Sequence, residues 1–147
     1  MPRSSRRRVH STVSSAARIG VDIVLISRAE ELVSAERRPV LARMLSPEEI
    51  GACTRQGTLD PSAVAGLLAV KEAVFKLLHE SDRPVPWHCI RVESGAMRWP
   101  VVHLDGTAAD WAEAAGLNTD ISVSLAHDGA YAVAVAAAVH TQRKVSS

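Results

Sequence analysis

Aromatic side chains are scarce in this chain: they make up 3% of its 147 residues, with one Phe and one Tyr. A core short of rings has to be packed from Ala, Val, Leu and Ile. Charge of one sign is lacking as well. The formal net charge is +1, so the body has no overall electrostatic pull toward nucleic acid or membrane, and neither is expected as a partner. Cysteine is limited to Cys53 and Cys89, far apart and without metal-ligand spacing. That favours a cytoplasmic pair of buried thiols over a disulfide or a zinc site. No apolar run approaches the ~20 residues that span a bilayer, and no internal repeat is evident.

What is present reads as one ordinary globular domain. Hydrophobic residues are 47% and charged ones 22%, a balance that argues against wholesale disorder, and the length suffices for a real core. Residues 1–17 are Ser-rich and basic around Arg6-Arg7-Arg8, so they are expected to be a disordered tail. No apolar segment follows those arginines, which excludes a secretory signal there. The domain is set at 18–140, with a short tail at 141–147.

The β-branched run Ile19–Ile26 predicts a buried strand. Ser27, with Glu30 three residues on, predicts a capped helix to about Glu36, and a short helix follows Pro39 to Leu45. Ser46-Pro47-Glu48-Glu49 repeats the start signal, and Gly51–Asp60 reads as a helix end and loop. Asp60-Pro61 opens a long apolar-periodic helix to about Leu78. His88–Glu93 and Trp99–Leu104 predict a strand pair turning at Gly95, and Gly106-Thr107 opens a short helix ending at Gly116. Ile121–Leu125 and Tyr131–Val135 flank Ala126-His127-Asp128-Gly129, a strong hairpin signal that places His127 near the turn. The class is therefore α+β, with a largely antiparallel sheet packed against a long central helix. Ala134–Val139 is apolar throughout, as expected of a strand covered on both sides.

Two carboxylates break this pattern. Asp22 stands in the middle of the first strand, where an ionised group costs several kcal/mol unless paired or metal-bound; the alternative is an Asp bonded to a nearby turn. Gly20 beside it lets another group come close to the backbone. Glu72 lies within the apolar side of the long helix. Its partner is Lys71, Lys76 or a bound cation, unless it is merely one half of an i,i+4 pair with Lys76 on a solvated edge. Together Asp22 and Glu72 form a candidate acidic pair for a hard cation such as Mg2+, with Lys71, Lys76 and His127 supplying positive charge for a phosphate-bearing substrate.

The same residues carry a resemblance. Ile19-Gly20-Val21-Asp22-Ile23-Val24, Arg43-Met44-Leu45-Ser46-Pro47-Glu48-Glu49, Ala69–Lys76 and Ser122–Asp128 are similar, in order and spacing, to motifs of the AcpS-type 4′-phosphopantetheinyl transferases (holo-acyl-carrier-protein synthases). Leu67-Leu68, Leu78–Asp82 and Arg98-Trp99-Pro100 depart from that family's pattern, and the altered loop points to a specialised carrier. The resemblance implies the 4′-phosphopantetheinyl transferase fold and transfer of 4′-phosphopantetheine from coenzyme A to a serine of an apo acyl carrier protein. Asp22 and Glu72 would bind Mg2+. Glu72 and Lys76 would be catalytic, Lys71, Lys76 and His127 would contact coenzyme A, and Arg28 would dock the acidic carrier, with help from Arg37 and Arg38. It further implies a homotrimer with sites between subunits. The reading from another class is a non-catalytic carrier-binding module that kept the fold.

Overall fold

The computed structural model describes residues 17–94 and 99–141. The tail residues 1–16 and 142–147, and the turn expected at Gly95, lie outside the described residues. Its elements are β1 (Ala17–Leu25), α1 (Ile26–Leu32), α2 (Arg38–Leu41), α3 (Pro47–Ala52), β2 (Thr54–Arg55), β3 (Thr58–Leu59), α4 (Pro61–Leu78), β4 (Ile90–Ser94), β5 (Pro100–Leu104), α5 (Gly106–Ala114), β6 (Ser122–Asp128) and β7 (Tyr131–Val139). All strand pairs are antiparallel. One sheet has the order β1-β7-β6, and β2-β3 and β4-β5 are separate ribbons.

Helix α4 starts as its sequence dictates. Asp60 Oδ1 accepts the Ser62 N–H at 2.9 Å with Pro61 in the first turn, satisfying one of the orphan donors of a helix start. It lies across the inner face of the three-stranded sheet. Gly20 sets how close it comes: a Cβ there would stand 1.9 Å from the Ala73 carbonyl oxygen, so only glycine lets β1 touch the helix backbone. The alanines Ala132, Ala134, Ala136 and Ala138 of β7 are buried beneath it. Phe75 adds a close ring contact, 6.2 Å between centroids to Trp111 of α5.

Several boundaries differ from the sequence expectation. The box expected at Ser27 does not form; Leu25 is the N-cap of α1, without a side-chain bond. The first helical amide is already satisfied, because the Ile26 N–H donates to the Ala130 carbonyl in the β6–β7 turn at 2.8 Å. Helix α1 stops at Leu32, where the Ser34 hydroxyl donates back to the Glu31 carbonyl, and α2 ends at Leu41 rather than Leu45. The loop expected over 51–60 holds the β2-β3 hairpin, with Gln56 and Gly57 both at positive φ, the geometry that matches strand twist in a two-residue turn. His88 and Cys89 lie in a 3-10 turn before β4. His127 sits within β6 and not in the turn, which falls at Gly129 and Ala130. At the domain edges, Ala17 is in β1 and Thr141 is bonded to the Gly116 carbonyl, so neither belongs to a tail.

The larger difference concerns β1 and β7. Among the described residues, each buries only one face. Ile19, Val21, Ile23 and Leu25 of β1, with Tyr131, Val135 and Val139 of β7, form an exposed apolar surface opposite α4. A continuous β-branched run looks covered on both sides, yet the described helices cover only one.

Candidate active site

The inward residues of β1 meet α4 at Asp22. Its strand partner is Ala134, and its side chain is 7% exposed. Oδ1 accepts a hydrogen bond from Lys76 Nζ at 2.7 Å, and Nζ also donates to the Val21 carbonyl at 3.1 Å. Oδ2 is buried with no hydrogen-bond partner. Such an atom is expensive in a protein interior and calls for an explanation. Glu72 stands one helical turn before Lys76 and is half-buried. Burial first, and then the charge of Asp22, hold its carboxyl above the usual carboxylate range; Arg28 and Lys76 pull it back only in part. The pair is thus short of positive charge, and a cation would relieve both the raised acid and the orphaned oxygen.

The donor chemistry fits a hard divalent ion. Both groups offer oxygen only, and among the described residues no trio of His, Cys, Asp and Glu comes together. An ion held here would have Asp22 and Glu72 as its protein carboxylates and would take its other ligands from water or substrate oxygens, which is the habit of magnesium and not of zinc.

The other expected residues fall elsewhere. Lys71 is not at this site. It is fully buried, and Nζ spends its three hydrogens on Glu49 Oε2 at 2.6 Å, the Met44 carbonyl at 2.9 Å and the Trp87 carbonyl at 2.9 Å. No hydrogen is left for a phosphate, so its expected coenzyme A contact is withdrawn. Burial lowers its affinity for the proton, with Glu49 opposing. Its partner Glu49 was legible only as a capping residue. It does form the box with Ser46, but it also receives the Val92 N–H at 3.0 Å. A lysine inside the run Leu67–Leu78 was the signal that a buried carboxylate had to exist.

His127 packs over the start of α4, with Nε2 2.9 Å from the Ser62 carbonyl and against Gly66. Gly66 is about 9 Å up the helix from Glu72. His127 lines a cleft of about 250 Å³ with Arg55, Leu67, Val92 and Leu125. A second cleft of about 240 Å³ adjoins Lys76 and is lined by Phe75, His79, Glu80 and Ser81. Arg28 is exposed on α1 beside a cleft shared with Arg37, Leu32, Val40 and Met44, close enough for its charge to act on Glu72.

Comparison with known proteins matches residues 18–136 to the family model described as the 4′-phosphopantetheinyl transferase superfamily. A holo-[acyl-carrier-protein] synthase of Desulforudis audaxviator is 36% identical over 86% of this chain and 97% of its own length. Among solved structures, the Helicobacter pylori holo-[acyl-carrier-protein] synthase in complex with coenzyme A aligns with a TM-score of 0.67 at 30% identity, covering 80% of this chain and 96% of that one. The Neisseria meningitidis enzyme aligns with a TM-score of 0.68 at 26% identity, covering 82% and 96%. The chain belongs to the 4′-phosphopantetheinyl transferase superfamily and is an enzyme of the AcpS type.

Proposed function

We propose that this enzyme transfers 4′-phosphopantetheine from coenzyme A to a serine hydroxyl of an apo acyl carrier protein of fatty-acid or polyketide synthesis, with magnesium and with release of adenosine 3′,5′-bisphosphate. The observation that carries the reading is the buried, unpartnered Asp22 Oδ2 next to a Glu72 carboxyl held high by burial. The synthase of Helicobacter pylori, solved with coenzyme A, supports the donor. Asp22 and Glu72 would hold magnesium, which when bound draws charge from the pyrophosphate as its bridging bond breaks. Lys76 binds phosphate as a point charge. The serine proton would go to Glu72, once ionised, or to a water held by the metal. His127, at the rim of its cleft, meets the 3′-phosphate or ribose of the nucleotide.

The Arg28 cleft combines two arginines and one glutamate, Glu31, with Leu32, Val40 and Met44. That mixture suits an acidic amphipathic carrier helix, with the charges steering it and the apolar floor holding it. The β1–β7 face is apolar and exposed; a patch of this kind suits a protein contact, and further copies of the chain would cover it in a homotrimer with active sites between subunits. Free cysteines, with the Cys53 thiol pushed up to about 11 by burial, support work in the cytoplasm.

Incubation of the full chain with coenzyme A, magnesium and several apo carriers, read by intact mass, tests the reaction, with light scattering on the same dilution series. One carrier should gain the mass of one phosphopantetheine, with activity falling as the assembly dissociates. No mass gain on any carrier would overturn the reading of the reaction, and a fully active monomer would overturn the shared site.

A further inference from the structure

Lys76 holds one oxygen of the carboxylate at which a divalent cation would bind. Its Nζ lies 2.7 Å from Asp22 Oδ1 and 3.1 Å from the Val21 carbonyl oxygen, the kind of oxygens that a hard cation seeks. The second oxygen of the same carboxylate is buried and unpartnered. A lysine fixed in that place would oppose the metal. Lys76 is not fixed: its side chain is 53% exposed, and only two of its three ammonium hydrogens are spent. An ammonium on a four-carbon stem is a compact charge that can be re-aimed by rotamer changes alone. The cleft lined by Phe75, His79, Glu80 and Ser81 opens beside it, so there is space for the charge to move into. Lys71, on the same helix and wholly buried with three partners, has neither freedom.

Resting on the reading of Asp22 and Glu72 as the metal pair, we propose that Lys76 is a displaceable stand-in for the cation. It neutralises Asp22 while the metal is away. It leaves the carboxylate when the metal binds, and it then carries its charge into the adjoining cleft to meet the phosphate of the substrate. The two positive charges are used in sequence at one carboxylate, and the lysine that keeps the empty site from repelling itself becomes the phosphate ligand of the filled one. Metal and phosphate binding are thereby coupled through one side chain.

Arg28 provides the control that separates displacement from repulsion at a distance. Its charge acts on Glu72 from α1, but among the described residues it makes no ion pair with either carboxylate. Manganese binding to the full chain, followed by electron paramagnetic resonance without coenzyme A, would compare wild type with Lys76→Met, Lys76→Gln and Arg28→Met. Both Lys76 variants should bind manganese at least about tenfold more tightly, because a charge in contact with a carboxylate moves its cation affinity by roughly one to three decades. Arg28→Met should change it by less than about threefold, since a solvated charge acts through screening water. Equal or weaker binding by the Lys76 variants, or a gain in Arg28→Met that matches theirs, overturns the displacement while wild-type binding leaves the metal pair standing. Failure of wild type and both Lys76 variants to bind manganese at millimolar concentration overturns the metal pair and the displacement together.

Discussion

Helix α4 carries two lysines, each bonded to a carboxylate from another element, and the two pairs have opposite characters. Lys71 and Glu49 are both buried, at 0% and 4% side-chain exposure, and every hydrogen of the ammonium is used. The carboxylate is finished too: Oε2 also accepts the Ser46 N–H and Oε1 accepts the Val92 N–H. Four segments of chain meet there, and nothing is left over to bind a ligand. Asp22 and Lys76 are the reverse. One oxygen is orphaned, the lysine is half in water, and a second carboxylate crowds the first. A polar group that is fully paid off holds the fold together, whereas one left in deficit is waiting for something. The contrast marks the first pair as structural and agrees with the chemical role proposed for the second, without appeal to either residue type.

The sharpest way to break that contrast is to neutralise the unfinished pair. Asp22→Asn should lower carrier modification by on the order of 10²–10³-fold or more, the usual cost of removing one charge that stabilises a transition state, while the melting temperature holds. An amide keeps the shape but cannot balance a divalent cation. Turnover near wild type, measured with magnesium as the only divalent ion, would show that Asp22 is structural after all.

The finished pair should answer in stability. Lys71→Met leaves Glu49 buried and uncompensated, a change that costs about 3–5 kcal/mol. The double variant Glu49→Gln with Lys71→Met should recover part of that loss, because the stranded charge is gone, although the amide has one acceptor oxygen and so keeps only one of the bonds from the Ser46 and Val92 N–H groups. Lys76→Met removes one donor from Asp22 and should cost about 1–3 kcal/mol, less than Lys71→Met. Urea unfolding of the four proteins decides it, and equal losses at the two lysines would erase the distinction drawn between them.

How much of this could be read from the sequence follows from the range of each interaction. Asp60-Pro61 and Ser46–Glu49 were legible because a helix start is encoded within four residues. Gly20 and Asp22 stood out because each breaks a strand, and the structure explains both: one admits the backbone of α4 and the other faces it. The Glu49–Lys71 pair was not legible, since it joins residues 22 apart through a fold that has to exist first. The cap expected at Ser27 failed for the same reason, being pre-empted by a bond from Ile26 to Ala130 across the sheet. Exposure of the β1 face was hidden by its own composition, because an apolar run looks the same whether the chain or another molecule covers it.

The smallest expected effect, and the most specific to the unfinished pair, lies in pH. Burial and the Asp22 charge raise the Glu72 carboxyl in the folded chain. A raised acid favours the folded state fully below the ordinary carboxylate value of about 4.3, and this contribution is lost as pH rises through the folded value. Without divalent metal, wild type should therefore lose stability across that window relative to Glu72→Gln, whose amide does not titrate. Magnesium should reverse the trend. It binds the ionised pair and competes with the proton, so its stabilising effect should be small at the acid end and grow as pH rises through the same window. In Glu72→Gln that growth should largely disappear. Melting temperatures of the two proteins, with magnesium or with a chelator, at pH steps from about 4 to 8 give the four curves needed. Lys71 offers no comparable signal, for its charge is already balanced inside the protein and no metal enters there. A magnesium effect of the same size and pH dependence in wild type and Glu72→Gln would place the cation elsewhere and return Glu72 to the surface edge of its helix.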